Sequence, residues 1–85
     1  MEIQIGVVTR YYDTLGVAVI DVMNQTLRQG DTVRISNRFG EFTQDVGMLR
    51  IGHRSVAEVG AGDTCGMAVV QPVKTGDILY LLTNV

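Results

Sequence analysis

GDTVRIS, residues 30–36, is the stretch that decides the fold class. Val33 and Ile35 alternate with polar residues, and this period of two is typical of a β-strand with one buried face. Gly30 can adopt the positive φ that a tight turn needs, while the carboxylate of Asp31 can accept backbone N–H bonds at the start of the strand. The stretch therefore predicts a turn that leads directly into a strand.

The same turn signal occurs twice more, at Gly62-Asp63 and Gly76-Asp77, and each copy comes just before a run with strand character. Further strand-like segments cover residues 3–12, 16–23, 41–52, 65–70 and 78–82. We expect Gly47 to mark a bulge in one long bent strand over residues 41–52. No segment of ten or more residues shows apolar residues at helical spacing together with helix-capping residues. The chain is therefore predicted to be all-β.

Closure of these strands into a barrel is the expected architecture. An open six-stranded sheet leaves two edges exposed, whereas closure removes them. The chain has 85 residues, which is room for one domain, and its 46% of hydrophobic residues are enough for a core. We predict a single closed six-stranded antiparallel β-barrel over residues 1–85.

The charge and cysteine content exclude several classes of protein. A formal net charge of −2 argues against a protein held to nucleic acid mainly by bulk charge. Cys65 is the single cysteine, which excludes an internal disulfide framework and fits a reducing compartment. Glu2 stands where a signal peptide needs a base, and no uncharged run approaches the length of a bilayer span. We expect a cytoplasmic protein without membrane contact.

Catalytic signals are weak throughout the sequence. His53 is the only histidine and is expected in an exposed loop, while Cys65 lies in an apolar run typical of a buried thiol. The glycine-rich segments 47–54 and 60–66 do not match phosphate-binding or dinucleotide-binding loops, and neither leads into a helix. The acids of the Gly-Asp turns are assigned to turn structure: Asp31, Asp63 and Asp77. We predict that the chain is not an enzyme and has no metal or cofactor.

Basic residues concentrate in a 21-residue stretch that holds only two acids, Glu41 and Asp45. The basic residues are Arg34, Arg38, Arg50, His53 and Arg54. If the strands that carry Arg34 and Arg50 pair, their outward side chains form one basic face for a phosphate backbone or an acidic partner. Three aromatic residues can stack on an unpaired base if they are exposed, or pack in the core if they are not: Tyr11, Tyr12 and Phe39.

Three segments in this order, residues 27–35, 46–67 and 73–79, resemble domain II of elongation factor Tu and its relatives, and each contains one Gly-Asp turn. The resemblance implies a six-stranded barrel that helps to hold the aminoacyl end of transfer RNA and contacts the ribosome. It places Thr64, the residue after the middle Gly-Asp, in the position that lines this pocket. The implied function is a non-catalytic binding module for RNA (tRNA or rRNA), or for a translation or RNA-modification protein.

A second resemblance gives an alternative function. The chain is also similar to the small barrel at the end of many collagenase-like peptidases, at residues 6–13, 16–18 and 72–79 and at Val22 and Asn24. This likeness implies a stand-alone accessory domain, either detached from its enzyme or recruited to a peptidase-like enzyme subunit. A third possibility is a small oligomeric structural protein that associates through apolar strands such as residues 78–82. Genomic context and a sizing column distinguish these alternatives.

Overall fold

The computed structural model describes residues 2–83, and these residues form ten strands and no helix. The strands are β1 (Glu2–Tyr12), β2 (Val17–Val22), β3 (Leu27–Arg28), β4 (Thr32–Asn37), β5 (Gly40–Asp45), β6 (Leu49–Ile51), β7 (Arg54–Val56), β8 (Glu58–Val59), β9 (Thr64–Ala68) and β10 (Ile78–Leu82). Eight of them form one sheet in the order β5-β4-β10-β1-β2-β9-β6-β7, and β3 pairs with β8 in a separate two-stranded ribbon. Every pairing is antiparallel. The prediction of an all-β antiparallel fold is confirmed.

The predicted closure of six strands into one barrel is not confirmed. The sheet order ends at β5 and β7, and within residues 2–83 no backbone ladder joins these two strands. A side chain makes a different connection. Gln44 of β5 donates from Nε2 to the carbonyl of Ala68, the last residue of β9 (2.9 Å), and its Oε1 accepts the N–H of Val70 (3.0 Å). One end strand of the sheet is thus linked to the chain at the end of β9.

The prediction of a single bent strand over residues 41–52 is wrong, because this segment forms two strands, β5 and β6, which lie far apart in the sheet order. The chain leaves β5 at Val46, whose N–H donates to the carbonyl of Asp31 (2.7 Å) and whose carbonyl accepts the N–H of Gly30 (2.8 Å). Gly47 therefore lies in a connection between two strands and not in a bulge within one strand. The short strands β3, β7 and β8 carry too few residues for a readable period of two.

All three Gly-Asp turns share one backbone geometry. Gly30, Gly62 and Gly76 have φ values of +94°, +95° and +97°. In each turn the aspartate N–H donates to the carbonyl three residues earlier, at 3.0–3.1 Å. Each turn also clasps one buried valine from another part of the chain, since the glycine N–H donates to the valine carbonyl and the valine N–H donates to the aspartate carbonyl. In turn order these valines are Val46, Val22 and Val8.

Alternation along the strands supplies the core. Ala18, Ile20 and Val22 of β2 are buried, while the residues between them are half-buried, and β4 and β10 repeat this pattern. Cys65 and Met67 of β9 continue the same buried layer. The opposite faces of β2 and β9 are left toward solvent, and they carry the surface described next. Among residues 2–83, no helix has the length and apolar character that a membrane span requires.

Candidate functional site

The basic residues predicted to form one face are divided between two parts of the sheet. Arg34 lies on β4, which pairs with β10 and β5, whereas Arg50 lies on β6, which pairs with β9 and β7. Four strands separate β4 from β6 in the sheet order. The pairing on which the basic-face hypothesis depended is therefore absent from the described ladders. Closeness in sequence did not predict closeness in space, because the chain leaves β5 at Val46 and β6 then joins the other end of the sheet.

Arg34 is occupied by structural contacts. Its guanidinium donates to both carboxylate oxygens of Glu2 (2.6 and 2.7 Å), also contacts the Glu41 carboxylate, and lies 4.5 Å from the centroid of the Tyr80 ring. The hydrogen bond with Glu2 raises the pKa of Arg34, and the same bond lowers the pKa of Glu2. Arg34 thus links β1, β4, β5 and β10, and its charge is balanced by two carboxylates.

The other predicted residues lie in three places. Arg38 is exposed in the turn between β4 and β5, and His53 and Arg54 are exposed at the β6–β7 turn. Thr64 begins β9, and its hydroxyl donates to the carboxylate of Asp21 on β2 (2.7 Å). Of the predicted set, Arg50 and Thr64 line the same surface cleft.

That surface is the outer side of β2, β9 and β6, and we call it the Arg50 face. Two adjoining clefts there share Leu15, Val17 and Arg50. The face comprises the residues that line these two clefts, with Cys65 buried beneath it: Tyr12, Leu15, Val17, Val19, Met48, Arg50, Gly52, Thr64, Gly66 and Ala68. Leu15 is 72% exposed and Met48 is 51% exposed, so two large apolar side chains stand in solvent on the same side of the molecule. Contiguous exposed apolar surface of this kind marks sites of protein association.

The shape of the Arg50 face follows from strand register. Gly66 of β9 is paired with Val19 on one side and with Arg50 on the other, so a residue without a side chain lies between two larger ones. A Cβ built on Gly66 would meet the Cγ1 of Val17 at 3.5 Å, which is ordinary van der Waals contact. Packing within the chain would therefore tolerate a Cβ at residue 66, so it does not require the furrow that lies over Gly66 between Val19 and Arg50.

Arg50 is the cation of this face. The ion pairs within residues 2–83 join Arg28 to Glu58 and Arg34 to Glu2 and Glu41, so Arg50 has none there. An arginine surrounded by apolar side chains is a frequent anchor in protein interfaces, because its stem packs on apolar groups while its guanidinium pairs with a carboxylate. The sequence did not indicate Leu15 as a site residue, although an apolar residue inside a polar turn was the available signal.

The chemistry of the Arg50 face suits binding. Cys65 borders one of the clefts but is buried, and burial together with the charge of Asp21 raises the pKa of its thiol to about 11. A thiol with this pKa is protonated near neutral pH and is a poor nucleophile. Nowhere in the described part of the chain do three or more His, Cys, Asp or Glu side chains converge as metal ligands would.

A separate cleft, with a volume of about 540 Å³, lies between two loop segments, residues 36–39 and residues 74–78. We call it the Phe39 cleft. The first segment includes the end of β4, and the second includes the first residue of β10. Phe39 is 76% exposed, and both Cζ of Arg38 and Nζ of Lys74 lie 5.4 Å from its ring centroid. The two loops are held together by the buried Asp77 carboxylate, whose Oδ2 accepts from Nδ2 of Asn37 (3.1 Å) and from the N–H of Lys74 (2.9 Å). Sequence reasoning missed Lys74, because its approach to Arg38 depends on the pairing of β4 with β10.

Comparison with known proteins shows a shared fold. No protein-family model matches the chain, and no curated protein matches it in sequence. The crystal structure of the C-terminal domain of a Geobacillus thermoleovorans protein assigned as a U32 peptidase superimposes with a TM-score of 0.87 at 18% identity, covering 94% of this chain and 92% of that one. The selenomethionine variant of the same domain superimposes with a TM-score of 0.84 at 18% identity, covering 91% of this chain and 96% of that one. The resemblance to the small domain of collagenase-like peptidases is supported at the level of fold, whereas the resemblance to elongation factor Tu is not shown.

Proposed function

We propose that this chain is a non-catalytic accessory domain that docks against a peptidase-type enzyme through the Arg50 face. The observation that carries the proposal is the fold match, because the matched structure is the C-terminal domain of a protein assigned as a U32 peptidase. The Arg50 face supplies a surface of the required kind, with exposed apolar side chains beside an arginine that forms no ion pair with the residues described. Contacts between domains combine apolar area with a few specific polar pairs.

The RNA-binding reading has less support. Its basic face would need Arg34 beside Arg50, but these residues lie on strands that do not pair, and Arg34 is neutralised by Glu2 and Glu41. The formal net charge of −2 works against a polyanionic ligand as well. RNA is therefore kept as a control ligand in the experiment below.

The architecture behind this proposal is a ring of six strands, β5-β4-β10-β1-β2-β9, which we infer to close where Gln44 bridges to the end of β9. The two hydrogen bonds of Gln44 support this interpretation, since they join β5 to Ala68 and Val70, just beyond the residues of β9 that pair with β6. β6 and β7 then form a hairpin attached outside the ring. The predicted single domain over residues 1–85 stays a prediction, and residues 1, 84 and 85 lie outside the described part.

The experiment mixes the purified chain with the purified catalytic domain of a U32-type peptidase from the same organism and measures association by isothermal titration calorimetry. We expect a one-to-one complex that weakens by about tenfold or more in Arg50→Glu, as for an interface anchor. The matched control is Arg54→Glu, which makes the same charge change on the same hairpin at a residue that lines neither cleft of the face, and it should retain binding. No complex at about 100 μM would overturn the proposal, as would tighter binding of transfer RNA by the same sample.

A further inference from the structure

The Phe39 cleft is a second surface whose features the docking function leaves unexplained. Arg38 and Lys74 both point at the Phe39 ring, and neither belongs to the ion pairs formed within residues 2–83. Two cations at equal distance from one ring are close enough for a single short ligand to contact both. Because Phe39 is still 76% exposed, the cations leave most of the ring open.

The cleft is held in shape before any ligand arrives. Oδ1 of Asn37 accepts the N–H of Phe39 (2.8 Å), and Nδ2 of the same side chain donates to the buried Asp77. The hydroxyl of Thr75 donates to the carbonyl of Thr9 on β1 (3.3 Å), which ties the second loop to the sheet. Asn37 and Asp77 thus fix the backbone that carries Phe39 and Lys74. Preorganisation of this kind lowers the ordering cost of binding.

Charge and shape define the ligand. Arg38 and Lys74 call for two anionic groups, and the open ring between them calls for an apolar group. A peptide with two carboxylates on either side of an aliphatic residue offers this arrangement. A nucleic acid strand fits less well, because it carries a charge at every nucleotide and extends past the two cations. Its further phosphates would meet Glu41, which lies beyond Phe39 in the adjoining cleft.

We propose that the Phe39 cleft binds an acidic peptide segment, with Phe39 packing on an aliphatic side chain and Arg38 and Lys74 pairing with carboxylates. The two proposals are independent, since the cleft uses other residues than the Arg50 face and is tested without any enzyme.

The test is a titration of the ¹⁵N-labelled chain, followed by NMR, with the peptide acetyl-Gly-Glu-Leu-Glu-Gly-amide. We expect saturable shifts concentrated at residues 36–39 and 74–78. The double variant Arg38→Gln, Lys74→Gln should weaken binding by about tenfold or more, and Phe39→Ser by about fivefold. The matched control is Arg28→Gln with Arg54→Gln, which has the same net charge and should bind within about twofold of the unmodified chain.

Three further probes keep the proposal falsifiable. The neutral peptide acetyl-Gly-Gln-Leu-Gln-Gly-amide should bind at least about tenfold more weakly, and raised salt should weaken the acidic peptide. Equal binding of the two peptides overturns the proposal, as does the absence of shifts at about 5 mM peptide. Tighter binding of a uridine hexanucleotide at the same residues replaces the peptide reading with a nucleic acid reading. Unchanged spectra outside the cleft verify the fold of each variant, since Arg38, Phe39 and Lys74 are all exposed.

Discussion

Gln44 joins two backbone segments by means of one side chain. It is only 9% exposed, and its amide donates to the carbonyl of Ala68 and accepts from the N–H of Val70. A leucine there keeps the volume but leaves both backbone groups without this partner, and unsatisfied buried groups are costly. We expect Gln44→Leu to lower the free energy of unfolding by about 1–3 kcal/mol, measured by urea denaturation followed by circular dichroism.

The control for this prediction is Gln71→Leu, the same chemical change at an exposed glutamine. It should shift the free energy of unfolding by less than about 0.5 kcal/mol. Equal stability of the two variants would mean that Gln44 does not hold β5 to the end of β9. The inferred closure of the six-stranded ring would then lose its support.

Cys65 gives a prediction for pH. Burial and the charge of Asp21 raise the pKa of its thiol from 9.0 to about 11 in the folded chain. Between these values the thiol of the unfolded chain ionises first, so rising pH favours the unfolded state. The stability advantage of the unmodified chain over Cys65→Ala should therefore shrink from pH 9 upward. Alkylation by iodoacetamide at pH 8 should be much slower than in urea, and equal rates would contradict the burial.

Single residues also show where sequence reasoning stops. Hydropathy favours a buried Phe39 and an exposed Gln44, and the structure has the reverse at both positions. Gln44 is buried through contacts with a segment far away in sequence, because residues 68–70 supply its partners, whereas Phe39 is exposed in the turn between β4 and β5, with Lys74 beside its ring. Arg34 was expected to face a ligand, but it forms an ion pair with Glu2, which lies 32 positions away in sequence. No local pattern contains such pairs.

The Gly-Asp turns carry the prediction that belongs to elements. Gly30, Gly62 and Gly76 all have φ near +95°, and a Cβ at Gly30, Gly62 or Gly76 would meet no heavy atom within 4 Å. Any cost of alanine there comes from backbone strain and not from a clash. We expect each Gly→Ala variant to lower the free energy of unfolding by about 1–2 kcal/mol.

Gly47 is the matched control for these variants, because it has equally open surroundings and no positive φ. Gly47→Ala should leave stability unchanged or slightly raised, since alanine lowers the entropy of the unfolded chain. Chemical denaturation of all four variants measures the difference. A loss at Gly47 as large as at the three turns would show that the positive φ does not set the cost.

Elements were predictable where one turn signal and one period of two occur together. β4 follows Gly30-Asp31, and β9 and β10 follow the other two turns, close to the expected bounds. The segment 41–52 could not be divided from sequence, because Val46 leaves β5 through hydrogen bonds with Gly30 and Asp31, which precede it by about fifteen positions. Strand existence is a local property, but strand pairing depends on these distant contacts.

At the scale of the whole molecule, the sheet order governs which residues share a surface. β10, the last strand described, lies between β4 and β1, so the first and the last strand of residues 2–83 are neighbours in the middle of the sheet. Arg34 and Arg50 are sixteen positions apart in sequence, and four strands lie between them in the sheet order. The Arg50 face and the Phe39 cleft each combine residues from distant segments, so neither surface could be located from the sequence.

The same order predicts a gradient of local stability, which amide hydrogen exchange measures by NMR. β10 is paired along its length with β1 and β4, whereas the hairpin of β6 and β7 is joined to β9 by two residue pairs, Leu49 with Met67 and Arg50 with Gly66. Few contacts give a low free energy of opening. We expect amides of residues 50–55 to open with a free energy at least about 2 kcal/mol below that of β10. Exchange of both regions at one rate would show that the hairpin unfolds only with the whole sheet.

Because Arg50 lies on this hairpin, a partner docked on the Arg50 face should slow amide exchange in β6 more than in β10. A ligand in the Phe39 cleft should leave amide exchange in β6 unchanged.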